Sequence, residues 1–122
     1  MTMNSVLEYL LNIKKQKGAG YLVLIDPDKQ DVDLRYSLAH AIVNAQTKTA
    51  PHKLTTSEVY YIINGRGVMH IDGETSAVGP GDTIYIPPNA VQFIETNGDT
   101  ELEFICIVDP AWRVEDETVW DD

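Results

Sequence analysis

Residues 58–65, Glu-Val-Tyr-Tyr-Ile-Ile-Asn-Gly, decide the fold. Five of the first six are β-branched or aromatic, the types that suit a pleated and half-buried surface. Asn64-Gly65 then ends the run with a pair that tolerates positive φ, a hairpin-turn signal. The same grammar repeats on both sides. Residues 21–25 are apolar and β-prone, and Asp26-Pro27-Asp28 punctuates them as a solvated turn. Residues 35–43 (RYSLAHAIV) read as a strand. Residues 68–71 end at Asp72-Gly73, a second hairpin signal. Residues 83–86 lie between Gly81-Asp82 and Pro87-Pro88; residues 91–95 run into Asn97-Gly98-Asp99; residues 102–108 form the last long strand. About eight short, evenly spaced strands predict an all-β sandwich or closed barrel. There is no Gly-rich phosphate loop and no strand–helix alternation to suggest a nucleotide-binding α/β fold.

One helix is expected, over residues 5–17 (SVLEYLLNIKKQK). Ser5 can cap it, Val6, Leu10 and Ile13 share a face, and Gly18 can end it with Lys14, Lys15 and Lys17 at its negative end. At 122 residues the chain fits a single domain. Within it, residues 1–33 bring a helix and a strand to the barrel, residues 34–108 form the core, and residues 109–122 are an acidic tail. That tail holds Trp112 and Trp120, whose burial favours docking onto the barrel or a partner chain.

The net charge of −10 disfavours nucleic acid and anionic membrane surfaces as partners. The single cysteine, Cys106, excludes an intrachain disulfide and a cysteine-built zinc or iron–sulfur site. No apolar run reaches the roughly 20 residues of a membrane span. With no secretory signal pattern either, a cytoplasmic location is expected.

Two segments carry a family resemblance. Residues 51–65 (PHKLTTSEVYYIING) and 79–92 (GPGDTIYIPPNAVQ) resemble the paired motifs of the cupin superfamily. His52 stands at the first histidine of that pattern, Glu58 at its glutamate and Gly65 at the following glycine; Gly81 and Pro87 match the second motif. The resemblance covers roughly residues 34–108. It implies an antiparallel β-barrel, or double-stranded jelly roll, and a homodimer. It also implies a divalent metal held by three histidines and the glutamate. Here the sequence departs: Leu54 takes the second histidine position and Gln92 the third, Asn89 replaces a glycine, and Thr96 stands where an asparagine is usual.

Period-2 alternation puts Glu58, Tyr60 and Ile62 on one strand face, and Leu102, Phe104, Cys106 and Val108 on one face of the last strand. The expected pocket therefore gathers His52, Leu54, Glu58, Tyr60, Gln92 and Cys106, with Ala39, Ile62 and Phe104 beside them. It is largely apolar with a few convergent polar groups, as small-molecule sites are.

His52, Glu58 and Gln92 are the expected metal ligands, offering imidazole nitrogen, carboxylate and amide oxygen to Mn, Fe, Ni or Zn. Glu58 and Tyr60 are the expected catalytic pair. A buried Glu58 without a cation has a raised pKa, whereas beside His52 it can form an ion pair; either state serves proton transfer. Cys106 reads as a small hydrophobe, and His40 and His70 as outer-face residues. The resemblance implies oxygenase- or isomerase-type chemistry on a small molecule. Leu54 motivates the alternatives, a metal-free binding or sensing domain, or a structural dimer module with a vestigial pocket.

Overall fold

The computed structural model describes residues 18–120. The helix expected over residues 5–17 lies outside them. The described residues form ten strands: β1 (Gly20–Ile25), β2 (Ser37–Val43), β3 (His52–Leu54), β4 (Ser57–Asn64), β5 (Gly67–Ile71), β6 (Glu74–Val78), β7 (Thr83–Ile86), β8 (Gln92–Thr96), β9 (Leu102–Asp109) and β10 (Glu117–Val119). They make two five-stranded antiparallel sheets, ordered β1-β2-β9-β4-β7 and β10-β3-β8-β5-β6. This is the all-β architecture that the strand pattern predicts, in the jelly-roll form that the family resemblance implies.

Alternation builds the core. Tyr60 and Ile62 of β4, Leu102 and Phe104 of β9, and Ile86 of β7 are buried from the first sheet; Leu54, Met69 and Ile94 are buried from the second. The Tyr60 and Phe104 rings sit 4.3 Å apart at their centroids. His40 and His70 fall on outer faces, as their alternation predicts. His40 Nε2 lies 2.5 Å from Glu103 Oε2, and His70 Nε2 lies 2.8 Å from Glu95 Oε1.

Three strands have no clear signature in the sequence. β3 and β10 are only three residues long, and β6 is polar and largely exposed. Asp72-Gly73 does form the β5–β6 hairpin, with φ of 50° and 85° as a two-residue primed turn requires. Asn64-Gly65 does not form a hairpin. It carries the chain from β4 in one sheet to β5 in the other.

The tail docks on its own barrel. β10 pairs antiparallel with β3, the Trp112 N–H donates to Ser37 Oγ at 2.9 Å, and the Trp112 side chain packs against the core.

Gly65 shows why the sheet-to-sheet crossing needs glycine. Its φ is +84°, and a Cβ there would stand 2.2 Å from the carbonyl oxygen of Glu101. Gly65→Ala therefore meets both left-handed backbone strain and a backbone clash. We expect it to cost more than about 2 kcal/mol of unfolding free energy, read by urea denaturation. A loss below about 0.5 kcal/mol contradicts this account of the crossing.

Candidate functional site

A cavity of about 340 Å³ opens where β1 and β2 of one sheet face β3 and β10 of the other. Its polar floor follows from strand register. Cys106 on β9 stands between Ala39 on β2 and Tyr60 on β4, and Glu58 is two residues from Tyr60 on the same inward face. Across the barrel, His52 on β3 pairs with Gln92 on β8. Inward alternation on four strands thus brings Glu58, Tyr60, Gln92, His52 and Cys106 together.

These groups bond largely to one another. The Gln92 amide Nε2 donates to Glu58 Oε1 at 2.6 Å, and the Cys106 thiol donates to Glu58 Oε2 at 2.8 Å. The Tyr60 hydroxyl donates to Gln92 Oε1 at 3.1 Å, and the Tyr21 hydroxyl lies 3.4 Å from that of Tyr60. His52 Nδ1 lies 3.0 Å from the Ala50 carbonyl oxygen. Since a carbonyl only accepts, Nδ1 carries a proton, and in the neutral imidazole Nε2 keeps a lone pair. No described residue hydrogen-bonds that Nε2.

Burial sets the electrostatics. It pushes the Glu58 carboxyl above the usual carboxylate range; the Cys106 and Gln92 hydrogen bonds and the nearby His52 oppose this, and Glu117 adds to it. Burial and the Glu58 charge push the Cys106 thiol up, which keeps it a donor rather than a nucleophile. Burial likewise raises the phenols of Tyr60 and Tyr21. Tyr21 is 49% exposed overall, yet its hydroxyl end lies inside, against Tyr60.

Of the residues expected to line the pocket, Ala39, His52, Glu58 and Cys106 do so. Leu54, Ile62 and Phe104 instead belong to the packed core, and Tyr60 and Gln92 are buried behind the floor.

The three expected metal ligands are brought near one another, but their donors do not fit an ion as arranged. Both Glu58 oxygens already accept hydrogen bonds, Gln92 turns its nitrogen to Glu58 and its oxygen to Tyr60, and Leu54 offers no donor. Among the described residues, no group of three or more His, Cys, Asp or Glu side chains is placed to hold a metal.

Among the wall residues not anticipated from the sequence, four bear on its chemistry: Tyr21, Asp26, Trp112 and Glu117. Asp26 belongs to a turn expected to be solvated, yet it is only 4% exposed, and its carboxylate accepts the Asp28 N–H at 2.9 Å. The tail tryptophans were the only sequence signal pointing to any of the four.

Comparison with known proteins gives a consistent picture. The profile of one family, the cupin domain, matches residues 39–108. An uncharacterized protein of Methanocaldococcus jannaschii is 44% identical over 87 residues, 70% of each chain. An oxalate-binding protein of Thermotoga maritima is 35% identical over 51 residues, 42% of each chain. The solved structure of a cupin-like protein of Thermotoga maritima superposes with a TM-score of 0.75 at 18% identity, over 91% of this chain and 90% of that one.

The raised Glu58 carboxyl has a consequence for stability. The folded state keeps the proton after the unfolded chain has lost it near the ordinary value of 4.5, so this group's contribution falls as pH rises from there through the folded value. Glu58→Gln removes that dependence. We expect unfolding free energies measured from pH 4 to 8 to decline with pH more steeply in the native protein than in the variant, by up to about 1.4 kcal/mol per pH unit. Parallel curves mean that Glu58 titrates as an ordinary carboxylate.

Proposed function

This chain belongs to the cupin family, and on that premise we propose that it binds a small organic molecule through proton-bearing side chains rather than through a metal ion. One observation carries the reading. Two of the three expected metal ligands, Glu58 and Gln92, are engaged with each other and with Cys106 and Tyr60, beside a cavity whose lining is mostly apolar. A cavity of about 340 Å³ lies at the lower end of the range for small-molecule pockets.

Of the two reaction types the resemblance implies, proton transfer of the isomerase kind has the better support. Glu58 is a carboxyl biased toward its protonated form, and His52 offers an unpartnered Nε2 lone pair to the same cavity. A carboxyl and an imidazole facing one cavity are groups that such chemistry uses. Tyr60 acts through Gln92, holding that amide toward Glu58.

The expected homodimer remains part of the proposal. Tyr85 is 62% exposed, and Val59, Tyr61, Ile105 and Ile107 lie around it on the outer face of the first sheet. An exposed apolar face of this kind suits association. The expected cytoplasmic location also stays a proposal. No helix among the described residues is long and apolar enough to cross a membrane.

Elemental analysis of protein purified without chelator or added metal tests the central claim. We expect far less than one metal per chain, even after incubation with Mn, Fe(II), Ni and Zn. Stoichiometric metal that is lost in His52→Ala overturns the proposal and restores the metal-centre reading. For the dimer, sedimentation equilibrium is expected to give twice the chain mass, and Tyr85→Glu is expected to raise the dimer dissociation constant at least tenfold. A monomer at every concentration rejects it.

A further inference from the structure

The cavity's charge narrows the class of molecule it takes. None of the described residues that line it is lysine or arginine, while Asp26, Glu58 and Glu117 all reach it. Two arginines of the described chain are used elsewhere: Arg35 bonds Asp109 at 2.8 Å, and Arg113 bonds Asp28 at 3.0 Å. Asp26 has the exposed Lys29 ammonium 4.0 Å from its Oδ2. Glu117 differs, since no described residue bonds its carboxylate, and its charge is felt at Glu58, Cys106 and Tyr21. A carboxylate ligand would therefore meet the charge of Glu117, with no lysine or arginine among the described lining residues to offset it.

A second observation points the same way. His52 is 8% exposed and lines the cavity, with Nδ1–H given to the Ala50 carbonyl. No described residue bonds its Nε2, which in the neutral imidazole is an acceptor facing the cavity. A ligand that donates hydrogen bonds satisfies it. The walls complete the chemistry: Tyr21 and Trp112 supply aromatic surface, and Val23, Leu38 and Val108 supply apolar surface. Aromatic rings attract cations through their negative faces.

We infer that this pocket selects a small organic cation, a primary or secondary ammonium on an apolar or aromatic body. The ammonium would donate to His52 Nε2 and pair with Glu117, and its ring or chain would pack on Trp112 and Tyr21. The inference rests on the small-molecule reading of the pocket proposed above.

Isothermal titration of the full chain at 150 mM salt, with three probes sharing one skeleton, tests it: 2-phenylethylamine, 2-phenylethanol and 3-phenylpropionate. We expect the amine to bind at one site per chain, at least about tenfold tighter than the alcohol, with the carboxylate weakest. Glu117→Gln is expected to erase most of the amine's advantage and leave the alcohol unchanged. If the alcohol or the carboxylate binds as tightly as the amine, the cation inference fails while the pocket reading stands. If the amine's advantage survives Glu117→Gln intact, the assignment of its partner fails. If no probe binds, and indole and cyclohexyl analogues of all three also fail, both readings fall together.

Discussion

A carboxyl group enclosed between two sheets must find hydrogen-bond donors or keep its proton, because an unpaired charge there is prohibitively costly. Glu58 is under this constraint, and much of the interior is arranged around it. One oxygen takes an amide N–H from the opposite sheet, through Gln92; the other takes a thiol from the neighbouring strand, through Cys106. Gln92 is in turn oriented by Tyr60, whose hydroxyl lies within reach of Tyr21. The two sheets are thus joined by a directional polar chain as well as by side-chain packing. Directional bonds specify register more tightly than packing does, since a one-residue slip in β4 would turn Glu58 outward and strand Gln92 and Cys106.

The same chain explains how the site can differ chemically from the family pattern while the barrel is preserved. Leu54 fills core space where the motif has a histidine, and its burial contributes to packing. Gln92 still reaches Glu58 from the third histidine position, but it does so as a donor. Facing the cavity are the His52 imidazole and a carboxyl that burial raises above the usual carboxylate range. That pairing suits hydrogen-bonding recognition and proton transfer.

The sequence made the frame of the fold legible because the long strands alternate cleanly. Glu58, Tyr60 and Ile62 announce one inward face, and Leu102, Phe104, Cys106 and Val108 announce another. Motif spacing also singled out His52 and Gln92, which the structure sets side by side. The cavity walls were not legible, and the reason is physical. Tyr21 and Glu117 reach the pocket only because β1 joins the edge of one sheet and β10 joins the edge of the other. Such pairings join residues far apart in the chain and leave no local periodicity to read. Asp26 was misjudged on composition: an Asp-Pro-Asp turn reads as solvated, but its position against the pocket buries the first aspartate. Asn64-Gly65 was misjudged for the converse reason. Its local conformation matches a turn, yet the strands on either side belong to different sheets.

β1 and β10 are the outermost strands of their respective sheets, and each is hydrogen-bonded to a single neighbour. Strands held on one side open at lower free energy than interior ones. A molecule seated between Tyr21 on β1 and Glu117 on β10 bridges the two ends of the described chain, acting as a noncovalent clasp. Occupancy and the local order of these strands then become a single thermodynamic quantity. The bound molecule suppresses fraying at both seams.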